Sequence, residues 1–328
     1  MIRLELHTDL DAGVLEEILA LIEDATRIEG HRPVGEHKYS HLVVGANRWV
    51  GVLAYETQES ADRLVGYAHT RWNPVNATPR MAVEIVVHPE YYRTDVARML
   101  LWETRSVLAR AGGGVLFLWV HRVEDPADTL PARLGFRVQR ELAFMVRPMN
   151  GLPAEPSLPD GVQLRAYRTG LDDEEFLRVN NAAFEGHPEN GGWDSHEFAQ
   201  RRTLEWFDPA GLIMAWRGET CVGFHWTKWH SHDSEETPAH EPVGEVYVLG
   251  VDPGEQGTGL GRALLLAGLR HLHGRGCRQA ILYVDCANVG AVKLYESAGF
   301  ALEYREVCYQ DLVAPVVEHV DSGLLRPT

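Results

Sequence analysis

Cysteine and long apolar runs are both scarce in this sequence. Its 328 residues include four cysteines, none of them in a CxxC pair, so neither a zinc ribbon nor a redox dithiol is indicated. We expect buried thiols in a reducing compartment. No run of about 18 apolar residues occurs, which argues against a transmembrane helix. The N-terminus lacks a basic segment followed by an apolar one, so we expect no signal peptide and a cytoplasmic protein.

Positive charge is also in short supply. Lysine and arginine number 31 against 47 acidic residues, which gives a formal net charge of −16. Such a surface repels nucleic acids and anionic membranes, so we expect neither as a partner. It suits a small cationic substrate, although the same acidity also serves solubility alone. We expect a monomer.

A linker divides the chain near its middle. Residues 147–161 contain four prolines and two glycines, a composition typical of a loop. We therefore expect an N-terminal domain over 1–150, a linker over 151–160 and a C-terminal domain over 161–328.

The two halves resemble each other. Pro89 and Pro253 each follow an apolar strand candidate, and Phe136 and Phe300 each end a short glycine-containing motif. Both pairs are separated by 164 residues (253 − 89 and 300 − 136), which indicates a duplicated domain. Strands alternate with helices late in each half, so we predict an α/β fold with a mixed sheet.

A glycine-rich loop that opens a helix is the most informative motif. A strand ending at Val251 leads into Gln256-Gly257-Thr258-Gly259-Leu260-Gly261 and then a helix from Arg262. Backbone N–H groups and the helix dipole at such a loop bind phosphate or pyrophosphate. A nucleotide P-loop would need a lysine followed by serine or threonine, and a dinucleotide fold would need this motif early in the domain. Glycines of a purely structural turn remain an alternative.

The loop resembles the acetyl-CoA loop of the GNAT superfamily of N-acetyltransferases. A second run from Asn288 to Phe300 is similar to that superfamily's second signature and follows in the expected order. The resemblance implies two tandem GNAT-type domains, with acetyl-CoA as co-substrate. It implies a binding site built from Leu249, Gly250, Val251, Gln256, Gly257, Thr258, Gly259, Leu260, Gly261, Arg262, Asn288, Val289, Gly290, Ala291, Val292 and Lys293.

Further segments, 180–189, 206–209, 223–228 and 244–251 among them, are similar to the mycothiol synthase family of tandem GNAT enzymes. That resemblance implies acetylation of the cysteinyl amine of a cysteinyl-glucosaminyl-inositol. It implies substrate contacts at Glu36, Glu189, Lys228, Glu245 and Tyr283. Carboxylates suit a cationic amine and sugar hydroxyls, and a lysine suits hydroxyls.

The resemblance also implies two catalytic residues. Glu245 lies on the strand before the loop and takes the place of the general base, while Tyr295 takes that of the acid. An α-amine has a pKa of about 7.7–8.0 and glutamate about 4.3. Glu245 must therefore be raised by burial, act through water, or hold an amine that is partly neutral. A tyrosine with a pKa of about 10 has the weaker task of donating a hydrogen bond to a thiolate.

The N-terminal copy departs from the pattern. The 164-residue offset places Asp95, Met81 and Pro131 opposite Gly259, Glu245 and Tyr295. An aspartate at the loop repels pyrophosphate, so we expect this half to be non-catalytic. The resemblance implies a strand near acyl-CoA at Ile85, Val86 and Val87.

Four histidines raise the hypothesis of a metal site. His225, His230, His232 and His240 lie close together, with Asp233 among them. Their spacing matches no closed zinc motif, so we expect no metal. Two other functions stay open: acetylation of a different small amine, such as an aminoglycoside or polyamine, and acyl-CoA sensing without catalysis.

Overall fold

The computed structural model describes residues 1–30, 33–35, 42, 50–58, 62–73, 79–186, 191–230 and 241–316. The chain forms two compact units: unit 1 is Met1–Glu141 together with the chain from Glu306 onward, and unit 2 is Leu142–Arg305. Residues 151–160 form no helix or strand and belong to unit 2. This division differs from the one expected at the linker, and the domain bounds 1–150 and 161–328 stay a prediction about the repeat.

Unit 1 is a mixed sheet with helices against it. Its elements are β1 (Ile2–His7), α1 (Ala12–Glu29), β2 (Gly51–Glu56), β3 (Arg63–Asn73), β4 (Arg80–Val87), α2 (Val96–Arg110), β5 (Gly114–Val123), a four-residue α3 (Leu130–Arg133), the start of β6 (Arg137–Pro148) and the end of β12 (Ala301–Val313). The strand order is β1-β2-β3-β4-β5-β12. The pair β4/β5 is parallel, whereas β1/β2, β2/β3 and β3/β4 are antiparallel.

Unit 2 repeats this plan. It contains β7 (Val162–Ala166), α4 (Asp173–Ala183), α5 (Ser195–Arg202), β8 (Leu212–Arg217), β9 (Thr220–His230), β10 (Val243–Val251), α6 (Leu260–Gly274), β11 (Gln279–Asp285) and α7 (Val289–Ser297), with the end of β6. The order is β7-β8-β9-β10-β11-β6, and β10/β11 is the parallel pair. The prediction of an α/β fold with a mixed sheet is confirmed.

Local sequence signals explain where several of these elements begin. The Asp194 side chain caps the first turn of α5 by accepting from the Glu197 amide, and the Glu197 carboxylate accepts from the Asp194 amide. An aspartate three residues before a glutamate predicts such a capping box, and the structure confirms it. Helix α6 begins at Leu260, two residues earlier than predicted. Its apolar stripe is fully buried, and each such leucine contributes about 1.5–3 kcal/mol of hydrophobic stabilisation; the stripe comprises Leu264, Leu265, Leu269 and Leu272.

The duplication is visible in the element boundaries. Helices α2 and α6 begin at 96 and 260, and strands β6 and β12 begin at 137 and 301, so each pair keeps the 164-residue offset (260 − 96 and 301 − 137). Gly66 of β3 and Gly223 of β9 also play the same structural role in the two units. A Cβ at Gly66 would lie 2.7 Å from Val96 of α2, and one at Gly223 would lie 2.9 Å from Leu264 of α6. In both units a glycine therefore lets the helix pack closely on the sheet.

One β-bulge distinguishes the two units. Strand β10 shifts register around Tyr247 in its ladder with β9, whereas β4 pairs with β3 without a shift. The ladders on both sides therefore align Glu245 with Ala82, and the constant-offset prediction of Met81 was wrong by one residue. Ala82 carries no carboxylate, so the expectation that unit 1 lacks this base is unaffected.

Three of the four cysteines are buried, and none is in a disulfide. Burial raises the pKa of the Cys221 thiol to about 12 and that of Cys277 to about 11. Cys286 is half-buried. Within the described ranges, no helix combines the length and apolar composition that a membrane crossing needs.

Candidate active site

The sheet of unit 2 splits between its two parallel strands. The β10/β11 ladder consists of three pairs and ends at Glu245 and Ile281. Beyond that point β10 stays paired with β9 as far as Val251, and β11 stays paired with β6 as far as Asp285. One backbone edge of residues 246–251 thus has no strand partner among the described residues. Leu249, Gly250 and Val251 lie on this edge, where amide groups are available to an extended pantetheine arm.

The glycine loop follows directly. Gly257 and Gly259 adopt φ angles of 79° and 90°, which side chains rarely tolerate, and Gly259 is the N-cap of α6 without any side-chain capping bond. The first-turn amides of α6 are therefore open to an anion. Thr258 donates its hydroxyl to the Glu255 carbonyl at 2.7 Å, which closes the turn.

Neither the packing nor the backbone conformation of the loop requires a glycine at Gly261. A Cβ built there would meet only Val251 at 3.6 Å and Leu294 at 3.7 Å, which are ordinary contacts. The φ angle of Gly261 is not in the left-handed region, so neither strain nor packing demands glycine. Close approach of a ligand to the backbone would account for a glycine here, and the contact of this loop with an acyl-CoA pyrophosphate stays a prediction.

The second signature forms the start of α7. Asn288 is its N-cap, and the side-chain oxygen accepts a hydrogen bond from the Ala291 amide at 3.1 Å. Arg262 of α6 donates to the Ser297 hydroxyl of α7 at 2.8 Å. This bond links the two helices that carry the predicted acyl-CoA residues; the remaining members of the α7 set are Val289, Gly290, Val292 and Lys293.

Glu245 lies at the last pair of the parallel ladder, with side-chain partners on β9. Its Cα partner on that strand is Lys228, and His230 donates from Nε2 to Glu245 Oε2 at 2.8 Å. Burial raises the pKa of the Glu245 carboxyl, but the hydrogen bond from His230 and the charges of Lys228 and His230 outweigh it and hold that pKa below its ordinary value. Burial therefore does not raise the pKa of Glu245 above its ordinary value in this structure.

Lys228 is almost fully buried and lies against an aromatic wall. Its Nζ is 5.2 Å from the centroid of the Trp206 ring, a distance at which a cation is attracted to the ring face. Trp206 in turn packs edge-on against Tyr247 at 4.8 Å. The β-bulge at Tyr247 thus places the Tyr247 ring beside Lys228 and Glu245 on one face of the sheet.

Tyr295 has a buried ring in an apolar environment. It packs with Val246, Leu265 and Phe300 in one core cluster, and burial raises the pKa of its phenol well above the ordinary value. The phenol is therefore neutral at physiological pH and remains a hydrogen-bond donor. Its role as the acid stays a prediction.

The predicted substrate residues are only partly described. Tyr283 on β11 is 43% exposed, and its ring lies 5.0 Å from that of Phe144. Glu36 and Glu189 lie outside the described residues. Lys228 and Glu245 are adjacent, as their pairing across β9 and β10 requires.

Two of the four histidines have partners other than a metal. His225 is fully buried and donates from Nδ1 to the Leu264 carbonyl at 2.9 Å, and His230 donates to Glu245. His232 and His240, with Asp233, lie outside the described residues. Among the residues described, no group of three or more potential metal ligands occurs.

Unit 1 has a cavity at the position where unit 2 has its split sheet. The β4/β5 ladder ends at Val83 and Leu118, and Ile85, Val86 and Val87 line a cavity of about 590 Å³ beyond it. Asp95 stands at the start of α2, where its carboxylate pairs with Arg98 at 2.7 Å. The three strand residues thus line a cavity, while their contact with an acyl-CoA stays a prediction.

Sequence reasoning missed the partners of Glu245. It treated His230 only as a member of a histidine group and gave Trp206 no function. Alternation along β9 carries the missing signal, because Lys228 and His230 are two residues apart and share one face of a strand. To know that this face lies beside Glu245 one also needs the register of β9 against β10, and the β-bulge at Tyr247 makes that register hard to infer from sequence.

Comparison with known proteins agrees with this geometry. The sequence profile of the acetyltransferase (GNAT) family matches residues 176–300. The chain is 40% identical to a mycothiol acetyltransferase of Acidothermus cellulolyticus over 306 residues, 91% of each chain. It is 42% identical to one of Streptomyces avermitilis over 303 residues, 92% of each chain.

Solved structures share the fold. A GCN5-related N-acetyltransferase from Sphaerobacter thermophilus superposes with a TM-score of 0.68 at 21% identity, covering 96% of this chain and 97% of its own. A tandem GNAT protein from the clavulanic acid biosynthesis pathway superposes with a TM-score of 0.68 at 17% identity, covering 96% and 100%. At these identities they show the fold alone, which is that of two tandem GNAT-type domains.

The fold, the split sheet and the glycine loop define an N-acetyltransferase of the GNAT class, which uses an acyl-CoA and a small-molecule acceptor. Within that class, the chain belongs to the mycothiol acetyltransferase family.

Proposed function

We propose that this protein transfers the acetyl group of acetyl-CoA to the cysteinyl amine of 1D-myo-inositol 2-(L-cysteinylamino)-2-deoxy-α-D-glucopyranoside, giving mycothiol and CoA. The observation that carries the proposal is the placement of Glu245 at the end of the β10/β11 ladder, beside Lys228 and directly before the split edge. Relatives about 40% identical over nine-tenths of the chain bear the name mycothiol acetyltransferase. We place the reaction in unit 2 and propose that unit 1 does not catalyse.

Acetyl-CoA, when bound, supplies the acetyl group as a thioester. The loop from Gln256 to Arg262 holds its pyrophosphate, with the open amides of the α6 start as donors. Backbone groups of Leu249 to Val251 hold the pantetheine arm and place one N–H near the thioester oxygen. The residues of the α7 start, from Asn288 to Lys293, flank the same arm.

Glu245 prepares the amine without taking its proton directly. With a carboxyl pKa held below its ordinary value, Glu245 is a weaker base than an ordinary glutamate, so direct proton transfer from an α-ammonium group to it is uphill. An ionised carboxylate instead attracts the substrate ammonium and orients a water molecule that carries the proton to solvent. The neutral amine then attacks the thioester carbon and the thiolate leaves.

Tyr295 stabilises the departing thiolate by donating a hydrogen bond. A phenol whose pKa burial has raised lies above a thiol at about 8.5. Full proton transfer is therefore uphill, whereas a hydrogen bond from a neutral hydroxyl is not. Solvent supplies the proton that completes CoA.

Acceptor specificity involves Glu36, Glu189, Lys228 and Tyr283 in this proposal, with Glu245 at the amine. Lys228 offers donors to sugar or inositol hydroxyls from a buried position beside Trp206. We further propose that the protein is a cytoplasmic monomer. The net charge of −16 repels nucleic acids and anionic membranes, so we propose neither as a partner.

The test is acetyl transfer to an amine panel: cysteinyl-glucosaminyl-inositol, an aminoglycoside and a polyamine. Because the first acceptor carries its own thiol, product mass by liquid chromatography and mass spectrometry is the readout rather than thiol release. The proposal expects N-acetylation of the first acceptor with a kcat/KM at least about tenfold above the others. Preference for another amine would overturn the acceptor assignment, and acetyl-CoA binding without any transfer would favour an acyl-CoA sensor.

A further inference from the structure

We propose that His230 is a positioning residue for acetyl transfer: its imidazole fixes the Glu245 carboxylate in the orientation that receives the acceptor amine. This inference rests on the proposed function and extends it to a residue on the neighbouring strand.

The geometry of β9 and β10 builds the pair. Glu245 lies opposite Lys228 in the antiparallel ladder, and His230, two residues further along β9, shares the face of Lys228. Its Nε2 donates to Glu245 Oε2 at 2.8 Å, and the two side chains are 18% and 13% exposed. A hydrogen bond to a carboxylate in such a poorly hydrated place is stronger than one at the surface.

The bond assigns different tasks to the two carboxylate oxygens. Oε2 is held by His230, while Oε1 accepts no hydrogen bond from the described part of the chain. Because Oε2 is fixed, the carboxylate cannot rotate freely about its last torsion. Oε1 is left as the acceptor for the ammonium group or for the water that removes its proton.

His230 also keeps the carboxylate charged. Among the effects on the pKa of Glu245, burial raises it and the hydrogen bond from His230 is the largest effect that lowers it, followed by the charge of Lys228. Among the described residues, Tyr247 on β10 and Arg201 on α5 also belong to this network, because Tyr247 interacts with Arg201, Glu245 and Lys228. Without His230, Lys228 is the remaining described residue that opposes the effect of burial, and a larger fraction of Glu245 is protonated at mildly acid pH.

A donor at the Nε2 position, rather than a titrating ring, is what this role requires. His230→Gln keeps a side-chain N–H near that position, whereas His230→Phe keeps the ring and removes the donor. His196 offers a matched control, because it is an exposed histidine of unit 2 that bonds only Gln200 among the residues described. His196→Phe makes the same chemical change away from Glu245.

The experiment measures kcat and KM for both substrates from pH 6 to pH 8.5, with acetyl-CoA affinity and melting temperature for each variant. We expect His230→Phe to lower kcat about 10- to 100-fold, as a misplaced catalytic group does, with acetyl-CoA affinity and melting temperature near those of wild type. Its kcat/KM falls further below pH 7 than that of wild type, and His230→Gln recovers most of the rate. His196→Phe behaves as wild type.

Full activity of His230→Phe would overturn the inference, and so would a His230→Gln variant as slow as His230→Phe. Failure of the proposed function is separate, because it shows as absent acetylation of the first acceptor by the wild-type enzyme. In that case the same variants are compared on whichever panel amine the wild type acetylates. A His230→Phe variant that no longer folds is replaced by His230→Leu, judged by the same ratio to His230→Gln.

Discussion

Gly268 of α6 packs directly against the imidazole ring of His225 on β9. A Cβ on Gly268 would overlap the His225 ring. The ring donates from Nδ1 to the Leu264 carbonyl of the same helix at 2.9 Å, so this helix packs on the sheet through a fully buried polar residue. The contact lies under the strand that carries Lys228 and His230, and it fixes the distance between helix and sheet there.

Gly268→Ala should therefore destabilise the protein despite the higher helix propensity of alanine. Overpacking costs about 1–3 kcal/mol, and we expect a net loss in that range by urea unfolding. Gly274→Ala in the same helix is the control, because nothing lies within 4 Å of its added Cβ, and it should be neutral or stabilising. Equal stabilities for both variants would contradict the packing described for His225.

Acid should destabilise the fold through His225. Burial lowers the pKa of this histidine to about 4 from an ordinary 6.5, despite the opposing hydrogen bond to Leu264. Its neutral form therefore contributes stability that is fully present above pH 6.5 and is lost as pH falls from 6.5 toward 4, about 3 kcal/mol in all.

The measurement for His225 is urea unfolding of wild type and His225→Asn at pH 7.5 and pH 4.5. An asparagine keeps an N–H for the Leu264 carbonyl and does not titrate in this range. The difference in stability between the two proteins should shrink or reverse at pH 4.5. A difference that is independent of pH would mean that His225 is not the buried neutral group described.

Gly261→Ala should separate binding from folding. Its added Cβ meets only ordinary contacts at 3.6 and 3.7 Å, so we expect the free energy of unfolding to change by less than about 1 kcal/mol. Acetyl-CoA affinity by calorimetry should fall at least about tenfold, because the methyl group stands where the pyrophosphate approaches. Unchanged affinity would remove the loop from the binding site.

Tyr295→Phe should lower kcat by about tenfold, the worth of one hydrogen bond of about 1.4 kcal/mol to a developing charge. The KM for acetyl-CoA should stay near that of wild type, because the ring still packs in the same cluster. Since burial raises the pKa of this phenol, the wild-type rate should show no decline from Tyr295 ionisation up to pH 9. A variant as fast as wild type would leave Tyr295 with packing alone.

Much of the fold could be predicted because it depends on local signals. Helical spacing from Val14 to Ala25 predicts α1, and the turn at Gly218 predicts the β8/β9 hairpin. The 164-residue repeat predicts that both units share one plan. A capping box at Asp194 and Glu197 is readable from four residues of sequence.

The partners of Glu245 could not be predicted in the same way, because they depend on strand register. A single extra residue at Tyr247 shifts the pairing of β10 by one, and a shift of one turns a side chain to the other face. The offset is 164 residues after the bulge, where Val251 aligns with Val87 (251 − 87), and 163 before it, where Glu245 aligns with Ala82 (245 − 82). His230 was therefore visible as a histidine and not as the partner of Glu245.

The most direct measurement is acetylation of cysteinyl-glucosaminyl-inositol by wild type and Glu245→Gln at pH 7.5, with acetyl-CoA affinity measured on the same samples. The account predicts a kcat at least about 100-fold lower in the variant, with acetyl-CoA affinity within about twofold of wild type, because the loop and the open edge after Glu245 are untouched. A variant that acetylates at the wild-type rate would contradict the role of Glu245 and, with it, the site in unit 2.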